Sequence, residues 1–117
     1  MVASCGSDGG GQACTDLFAF ITATAINGSG QPVSNLAIRD SVIRTATGFD
    51  IGQEGILNTA GTIVVFSDNY LANVRKSGDP VQVSGTGAGQ VFAAGYQFGS
   101  DGCHVRKISG PDTVVVH

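Results

Sequence analysis

Short apolar segments separated by Gly- and Asn-rich stretches run along most of this chain. The clearest segments are 17–26, 62–67 and 90–98, and no window carries the i, i+3, i+4, i+7 apolar spacing of an amphipathic helix bounded by caps. Gly and Asn tolerate the positive φ angles of tight turns, so the stretches between the segments indicate turns. The pattern therefore predicts β-strands rather than helices.

Seven or eight short strands are expected in roughly 100 residues, which is the number and rhythm of a β-sandwich. The predicted strands cover 17–26, 33–40 and 41–46 (one bent strand or two short ones), 62–67, 80–84, 90–98, 103–108 and 113–116. Turns are predicted at 27–30, 85–89, 99–102 and 109–112. Residues 47–61 are ambiguous, and 68–79 are interpreted as a loop or a weak edge strand.

The composition strengthens the all-β prediction. The 117 residues include 13 Val, eight Ile and nine Thr, but only one Glu and two Lys. β-Branched side chains lose less freedom on a sheet than in a helix, and the charged residues that favour exposed helix faces are nearly absent. The length suits one domain, and the 18 Gly residues fit a chain with many turns.

Charge and motif content exclude several classes of function. No apolar run approaches the roughly 20 residues of a bilayer span, and a net charge of −3 disfavours binding to nucleic acid. Glu54 is the only glutamate, and neither a nucleophile elbow nor a dinucleotide fingerprint is present. We therefore expect a protein that is not an enzyme and that has no cofactor and no metal site. A metal site shared by His104 and His117 is the weaker alternative.

The first 13 residues are Gly- and Ser-rich and are predicted to form a flexible tether, with a single domain over 14–117. Within the tether, Val2-Ala3-Ser4-Cys5 resembles the end of a bacterial lipobox, whose Cys receives diacylglycerol. The resemblance implies that Cys5 is the lipid anchor of an exported precursor. Neither a basic segment nor a full apolar segment precedes Val2, so we expect the native start to lie upstream. The alternative is an exposed Cys in a disordered tail.

The two remaining cysteines lie near opposite ends of the predicted domain. Cys14 precedes the first strand, and Cys103 opens one of the last. A disulfide between them would close a loop of about 90 residues, worth up to roughly 4–5 kcal/mol in the chain-entropy model. The alternative is that both are small buried thiols.

Two stretches of the chain carry a family resemblance. In residues 22–38 a strand ends in a polar turn and continues through a Gly-x-Pro-apolar step, which resembles carboxypeptidase regulatory-like, or prealbumin-like (transthyretin-like), domains. Residues 101–116 resemble the end of small bacterial lipoproteins with such a domain, in which a Cys-His-Val strand precedes a Ser-Gly-Pro break. The resemblance implies an Ig-like or prealbumin-like β-sandwich, a Cys103 paired with a cysteine near the mature N-terminus, and a place at the bacterial outer membrane or cell surface.

These expectations combine into a cell-envelope lipoprotein ectodomain with a structural, accessory or protein-binding role, which contacts the membrane only through its lipid anchor. The alternative is a carbohydrate or small-ligand binding module of the same fold, and an enzyme is the weakest hypothesis. For the alternative, Tyr70, Arg75 and Lys76 form the candidate binding surface, because sugar-binding modules stack sugars on exposed aromatic rings. The competing interpretation is that Tyr70 packs over a sheet edge. The expected partner is a protein or a carbohydrate.

Overall fold

A computed structural model describes residues 18–53, 61–87 and 89–117. Within these residues eight strands form two sheets, so the all-β sandwich is confirmed. The strands are β1 (Phe20–Ile26), β2 (Ala37–Val42), β3 (Thr47–Ile51), β4 (Thr62–Ser67), β5 (Asp79–Gly87), β6 (Gln90–Ser100), β7 (Val105–Ser109) and β8 (Thr113–Val115). A short 3-10 helix over Asp68–Asn73 follows β4. In the part of the chain described, no helix is long and apolar enough to cross a bilayer.

The strands pair in the orders β4-β1-β8 and β3-β2-β5-β6-β7. The five-stranded sheet is antiparallel throughout, whereas β1 pairs antiparallel with β4 and parallel with β8. Side chains alternate across β2, where Ile38 and Val42 are buried while Ala37 and Arg39 are exposed. This alternation places one face of the five-stranded sheet in the core and the other in solvent.

Stacked aromatic rings fill the space between the sheets. Phe66 of β4 stacks on Phe98 of β6 with ring centroids 4.5 Å apart, and Tyr96 stacks on Phe98 at 5.2 Å. All three side chains are buried. Burying one large apolar side chain contributes roughly 1.5–3 kcal/mol, so these rings are a major source of the attraction between the sheets.

One end of the sandwich brings together the ends of several strands and two connecting segments. β1, β5 and β7 begin there and β4 and β6 end there, as the register pairs Phe20 with Ser67 and Asp79 with Phe98. The turn 43–46 and the loop 74–78 lie at the same end. We call it the tether end, because the chain enters β1 there.

Two side chains close the edges of the sheets on the side of β3 and β4. The Gln53 amide donates to the carbonyl of Val64 and accepts from its N–H, both at 2.9 Å. The Tyr70 hydroxyl donates to the carbonyl of Asp50 at 3.0 Å and accepts from the N–H of Gly52 at 3.2 Å. Exposed strand edges invite pairing with other chains, so both side chains protect the sandwich from edge-to-edge association.

Several predicted elements agree closely with the structure. The strand predicted at 62–67 is β4, and the turn predicted at 27–30 forms, with the Asn27 side chain accepting from the N–H groups of Ser29 and Gln31. The ambiguous residues 47–51 are β3. The bent strand or two short strands predicted over 33–46 are wrong at both ends, because β2 covers only Ala37–Val42 and residues 43–46 form a turn. The predicted tether over 1–13, Cys14 and residues 54–60 lie outside the described residues.

Two other predictions were wrong, one because of close packing and the other because of a helix cap. The turn predicted at 85–89 is wrong at its start, because β5 continues to Gly87. Gly85 lies under the ring of Phe92, where an added Cβ would come within 2.2 Å of the ring, so this glycine serves close packing rather than a turn. The predicted loop or weak edge at 68–79 contains the 3-10 helix, which the Ser67 hydroxyl caps by accepting from the N–H of Asn69.

Candidate functional site

A buried carboxylate organises the loops of the tether end. Asp79 opens β5 with its side chain fully buried, and it accepts hydrogen bonds from Arg44 Nε at 2.7 Å and Arg44 Nη2 at 2.9 Å. It also accepts from the backbone N–H of Arg75 at 2.8 Å and from Arg75 Nε at 3.0 Å. The Arg44 guanidinium, with the Arg75 contacts, holds the pKa of Asp79 well below its ordinary value. One carboxylate thus joins the turn 43–46 to the loop 74–78.

Lys76 and Arg106 lie beside this cluster. The carbonyl of Lys76 accepts from the Ser100 N–H at 3.3 Å and from Arg106 Nη2 at 3.2 Å. Both side chains are exposed, and within the described residues neither forms an ion pair. The tether end therefore presents cations to solvent.

A second carboxylate fastens the start of the domain. Asp68 accepts from the Ala19 N–H at 2.9 Å, from the Val105 N–H at 2.8 Å and from His104 Nδ1 at 2.6 Å. Its own N–H donates to the carbonyl of Ala19 at 3.1 Å. Burial pushes the pKa of Asp68 up, but these hydrogen bonds outweigh it and leave the pKa below its ordinary value. Asp68 therefore holds residue 19 next to the start of β7.

The turn before β7 contains Cys103. Asp101 shapes it by accepting, at 2.8 Å each, from the N–H groups of Cys103 and His104, and these bonds lower the pKa of Asp101. Cys103 is not a free thiol. Cys5 and Cys14 lie outside the described residues, so the pairing of Cys14 with Cys103 stays a prediction.

Tyr70 packs on its neighbours. Its ring stacks on Phe49 with centroids 4.9 Å apart, and its hydroxyl is used at the edge of β3. Arg75 is held by Asp79, and no contact among the described residues joins Tyr70 to Arg75 or Lys76. The structure therefore does not gather the three predicted binding residues into one site, and the packing interpretation accounts for Tyr70.

Asp40 is a buried residue that the sequence interpretation missed. Its side chain lies in the core from the middle of β2, and neither carboxylate oxygen has a hydrogen-bond partner. Burial raises the pKa of Asp40 to about 8. The alternation of β2 was the signal that could have found it, because position 40 falls on the same face as Ile38 and Val42.

Tyr96 is the titratable neighbour of Asp40 in the core. Its hydroxyl donates to the carbonyl of Pro111 at 2.6 Å. Burial, with the charges of Asp112 and Asp40, raises the pKa of Tyr96 to about 12. The phenol therefore stays protonated and ties β6 to the turn that precedes β8.

The solvent face of the five-stranded sheet carries a groove of about 400 Å³. Its lining residues come from β2, β3 and β5 and are Ala37, Ile38, Arg39, Asp50, Ile51, Ser84 and Thr86. Arg39 Nη1 and Asp50 Oδ1 form an exposed ion pair at 3.0 Å, and the Ser84 hydroxyl donates to the carbonyl of Arg39. The exposed ion pair and the hydroxyl groups of Ser84 and Thr86 can hydrogen-bond a polar ligand that rests on the apolar part of the groove.

The described residues do not bring the histidines together. His104 lies at the tether end, whereas His117 pairs its backbone with Val91 near the start of β6, at the opposite end. No group of three or more His, Cys, Asp or Glu side chains in the described ranges is placed to hold a metal ion. The structure therefore does not place His104 and His117 close enough together to share a metal ion.

Compared with known proteins, the chain matches no family model, no curated protein and no solved structure.

Proposed function

We propose that this chain is the ectodomain of an exported, lipid-anchored protein of the bacterial cell envelope, with a structural, accessory or protein-binding role. The observation that carries the proposal is the Asp68 contact, which holds the first described residues beside the turn of Cys103. The other ionisable contacts at this end also join loops to strands, which suits a stable module on a tether.

The Asp68 contact bears directly on the proposed disulfide. Ala19 N and His104 Nδ1 share the same Asp68 oxygen, and Cys14 precedes Ala19 by only five residues. Five residues span at most about 17 Å, so the chain has the reach to bring Cys14 to Cys103. A disulfide there is typical of exported proteins, and it leaves Cys5 as the cysteine available for the lipid.

Peptide mapping under non-reducing conditions tests the disulfide. We expect a linked pair of peptides containing Cys14 and Cys103, and an alkylated, hence free, Cys5 when the chain is produced without its lipid. A free thiol at Cys14, or a link from Cys103 to Cys5, would contradict the assignment of the three cysteines.

Metabolic labelling with a clickable fatty acid tests the anchor in cells that make the exported precursor. We expect the natural precursor to carry the label and to sediment with membranes. Cys5→Ser should lose both properties, whereas Ser7→Ala, a change two residues further along the same tether, should keep them. An unlabelled natural precursor would rule out the lipoprotein hypothesis.

The groove on the five-stranded sheet favours a second candidate function, the binding of a carbohydrate or small polar ligand. Titrating the chain with soluble oligosaccharides while recording amide NMR spectra tests it. If this function is right, the Ala37, Ser84 and Thr86 amides shift and Arg39→Ala abolishes the shifts, whereas Arg106→Ala, outside the groove, does not. Spectra that stay unchanged across the sugars tested would remove the support that the groove provides.

A further inference from the structure

Exposed apolar side chains gather at the tether end. Phe18 and Phe20 are 44% and 37% exposed, and their rings contact each other edge to face with centroids 4.9 Å apart. Ile43, in the turn 43–46, is 59% exposed. Large apolar side chains grouped in solvent at one end of a domain are typical of a contact surface.

Most of the cations of the chain lie at the same end. Four of the six Lys and Arg residues are there, namely Arg44, Arg75, Lys76 and Arg106. All four side chains reach solvent, with Arg44 and Arg75 41% and 56% exposed.

Three aspartates share the tether end with these cations. Asp79 is fully buried between two arginines, and Asp68 is mostly buried against His104 and two backbone N–H groups. Asp101 is exposed but accepts from two N–H groups of its own turn. A surface approaching this end therefore meets the cations before the two buried carboxylates.

The two remaining cations of the chain are each paired with an exposed carboxylate. Arg39 is paired with Asp50 on the solvent face of the five-stranded sheet, and Lys107, opposite Phe98 on β6, is paired with Asp112. Among the described residues, Lys76 and Arg106 form no ion pair, and they lie at the same end as the exposed Phe18, Phe20 and Ile43.

We propose that the tether end is a membrane-contact surface that seats the domain on the phosphate-bearing headgroups of an anionic bilayer. For its setting this rests on the proposed function, because an anchor on Cys5 would hold the end where β1 begins toward the bilayer. Apolar side chains enter the interfacial region while cations pair with lipid phosphates. Each cation near an anionic bilayer strengthens binding by about fivefold, so several weak contacts suffice to orient a domain that is already tethered.

Flotation with vesicles tests the surface on the whole oxidised chain without a lipid. One set of vesicles is phosphatidylcholine alone, and the other is rich in phosphatidylglycerol. We expect binding to the anionic vesicles that weakens as salt is added, and a drop of at least about fivefold in the double variant Phe18→Ser, Lys76→Glu. The double variant Arg39→Glu, Val91→Ser changes matched exposed residues elsewhere and should bind as the natural chain does. Thermal unfolding confirms that each variant is folded.

Three results would overturn the proposal. These are no binding to anionic vesicles, equal binding by the natural chain and the tether-end variant, or a lipid-independent dimer that this variant abolishes, which would assign the surface to a second copy. Because the assay uses no lipid on Cys5, its failure leaves the anchor intact. Conversely, an unlabelled Cys5 in cells would remove the anchor without changing the vesicle result.

Discussion

Two regions of the five-stranded sheet each bury an aspartate, and they treat it in opposite ways. Asp79 and Asp40 are both 0% exposed. Asp79, at the tether end, is surrounded by Arg44 and Arg75, whereas Asp40, in the middle of β2, has no hydrogen-bond partner. The pKa of Asp79 is lowered, and the pKa of Asp40 is raised to about 8. Burial alone therefore does not set the charge of a carboxylate; the donors within reach decide it.

The positions of Asp79 and Asp40 along their strands explain why one has hydrogen-bond donors and the other has none. Asp79 is the first residue of β5, so the adjoining loops can bring long cationic side chains over it. Asp40 has strands on both sides, with Phe49 opposite it on β3 and Val83 opposite it on β5. The middle of a buried sheet face offers apolar side chains, and these cannot replace the lost hydration of a carboxylate.

The two aspartates consequently make stability depend on pH with opposite signs. Between the ordinary Asp pKa of 3.8 and about 8, folded Asp40 holds a proton that the unfolded chain has lost, so stability falls as pH rises. Asp79 has a lowered pKa, so its contribution is present above the ordinary Asp pKa and is lost as pH falls below it.

The largest effect is expected from replacing the titratable carboxyl group of Asp40. The natural chain should lose about 1.4 kcal/mol of unfolding free energy for each pH unit across this window, on the order of 5 kcal/mol in all. Asp40→Leu should abolish that slope and be the more stable chain at the alkaline end. Urea unfolding at intervals across the window measures this. Asp40→Asn should also remove the slope while keeping an unsatisfied polar group. A slope that persists in both variants would show that Asp40 is not the titrating group.

Truncating Asp79, the buried aspartate that has hydrogen-bond partners, should have the next largest effect on stability. Asp79→Ala leaves Arg44 and Arg75 without their shared carboxylate, and we expect a loss of roughly 3 kcal/mol at neutral pH. Chemical unfolding measures the loss, which should shrink at acid pH because the natural chain protonates Asp79 there. Asp112→Ala removes an exposed carboxylate as the control. A cost equal to that of the control would mean that Asp79 contributes nothing beyond a surface ion pair.

A smaller loss of unfolding free energy is expected from removing the Asp68 carboxylate, which joins the start of β1 to the start of β7. Asp68→Ala removes the acceptor of the Ala19 and Val105 N–H groups, and we expect a loss of about 2 kcal/mol. Hydrogen exchange should show faster exchange at these two amides and little change in β5. Uniformly faster exchange throughout the sandwich would instead indicate that Asp68 stabilises the whole fold and does not specifically hold these two amides.

The exposed ion pair on the sheet should contribute least. A double-mutant cycle of Arg39→Ala and Asp50→Ala should give a coupling of about 0.5 kcal/mol that disappears in salt. The Arg39–Asp50 pair is an exposed ion pair with which the buried Asp79 and its two arginines can be compared. A coupling as large as the loss in Asp79→Ala would contradict the conclusion that burial makes the tether-end cluster strong.

The presence of individual strands and turns could be predicted from the sequence of this protein. Residues 62–67 and 27–30 form the expected strand and turn because β-branched runs and Asn-Gly steps favour those backbone angles wherever they occur. The same reasoning was wrong at Gly85, where the space under Phe92 and not the backbone requires a glycine. Strand existence was therefore more predictable than strand length.

The partners of each side chain were decided only by the tertiary structure. Arg44 and Asp79 are 35 residues apart in sequence, and Asp68 and His104 are 36 apart, so only the pairing of strands brings them together. Tyr70, a predicted sugar contact, stacks on Phe49 and donates to a carbonyl at the edge of β3, and neither neighbour is close to it in sequence. Composition and alternation specify an all-β sandwich because backbone preferences are local. Long-range neighbours decide the charge state of Asp40, the hydrogen bonds of Asp68 and the surface of the tether end. Short sequence windows do not contain these neighbours.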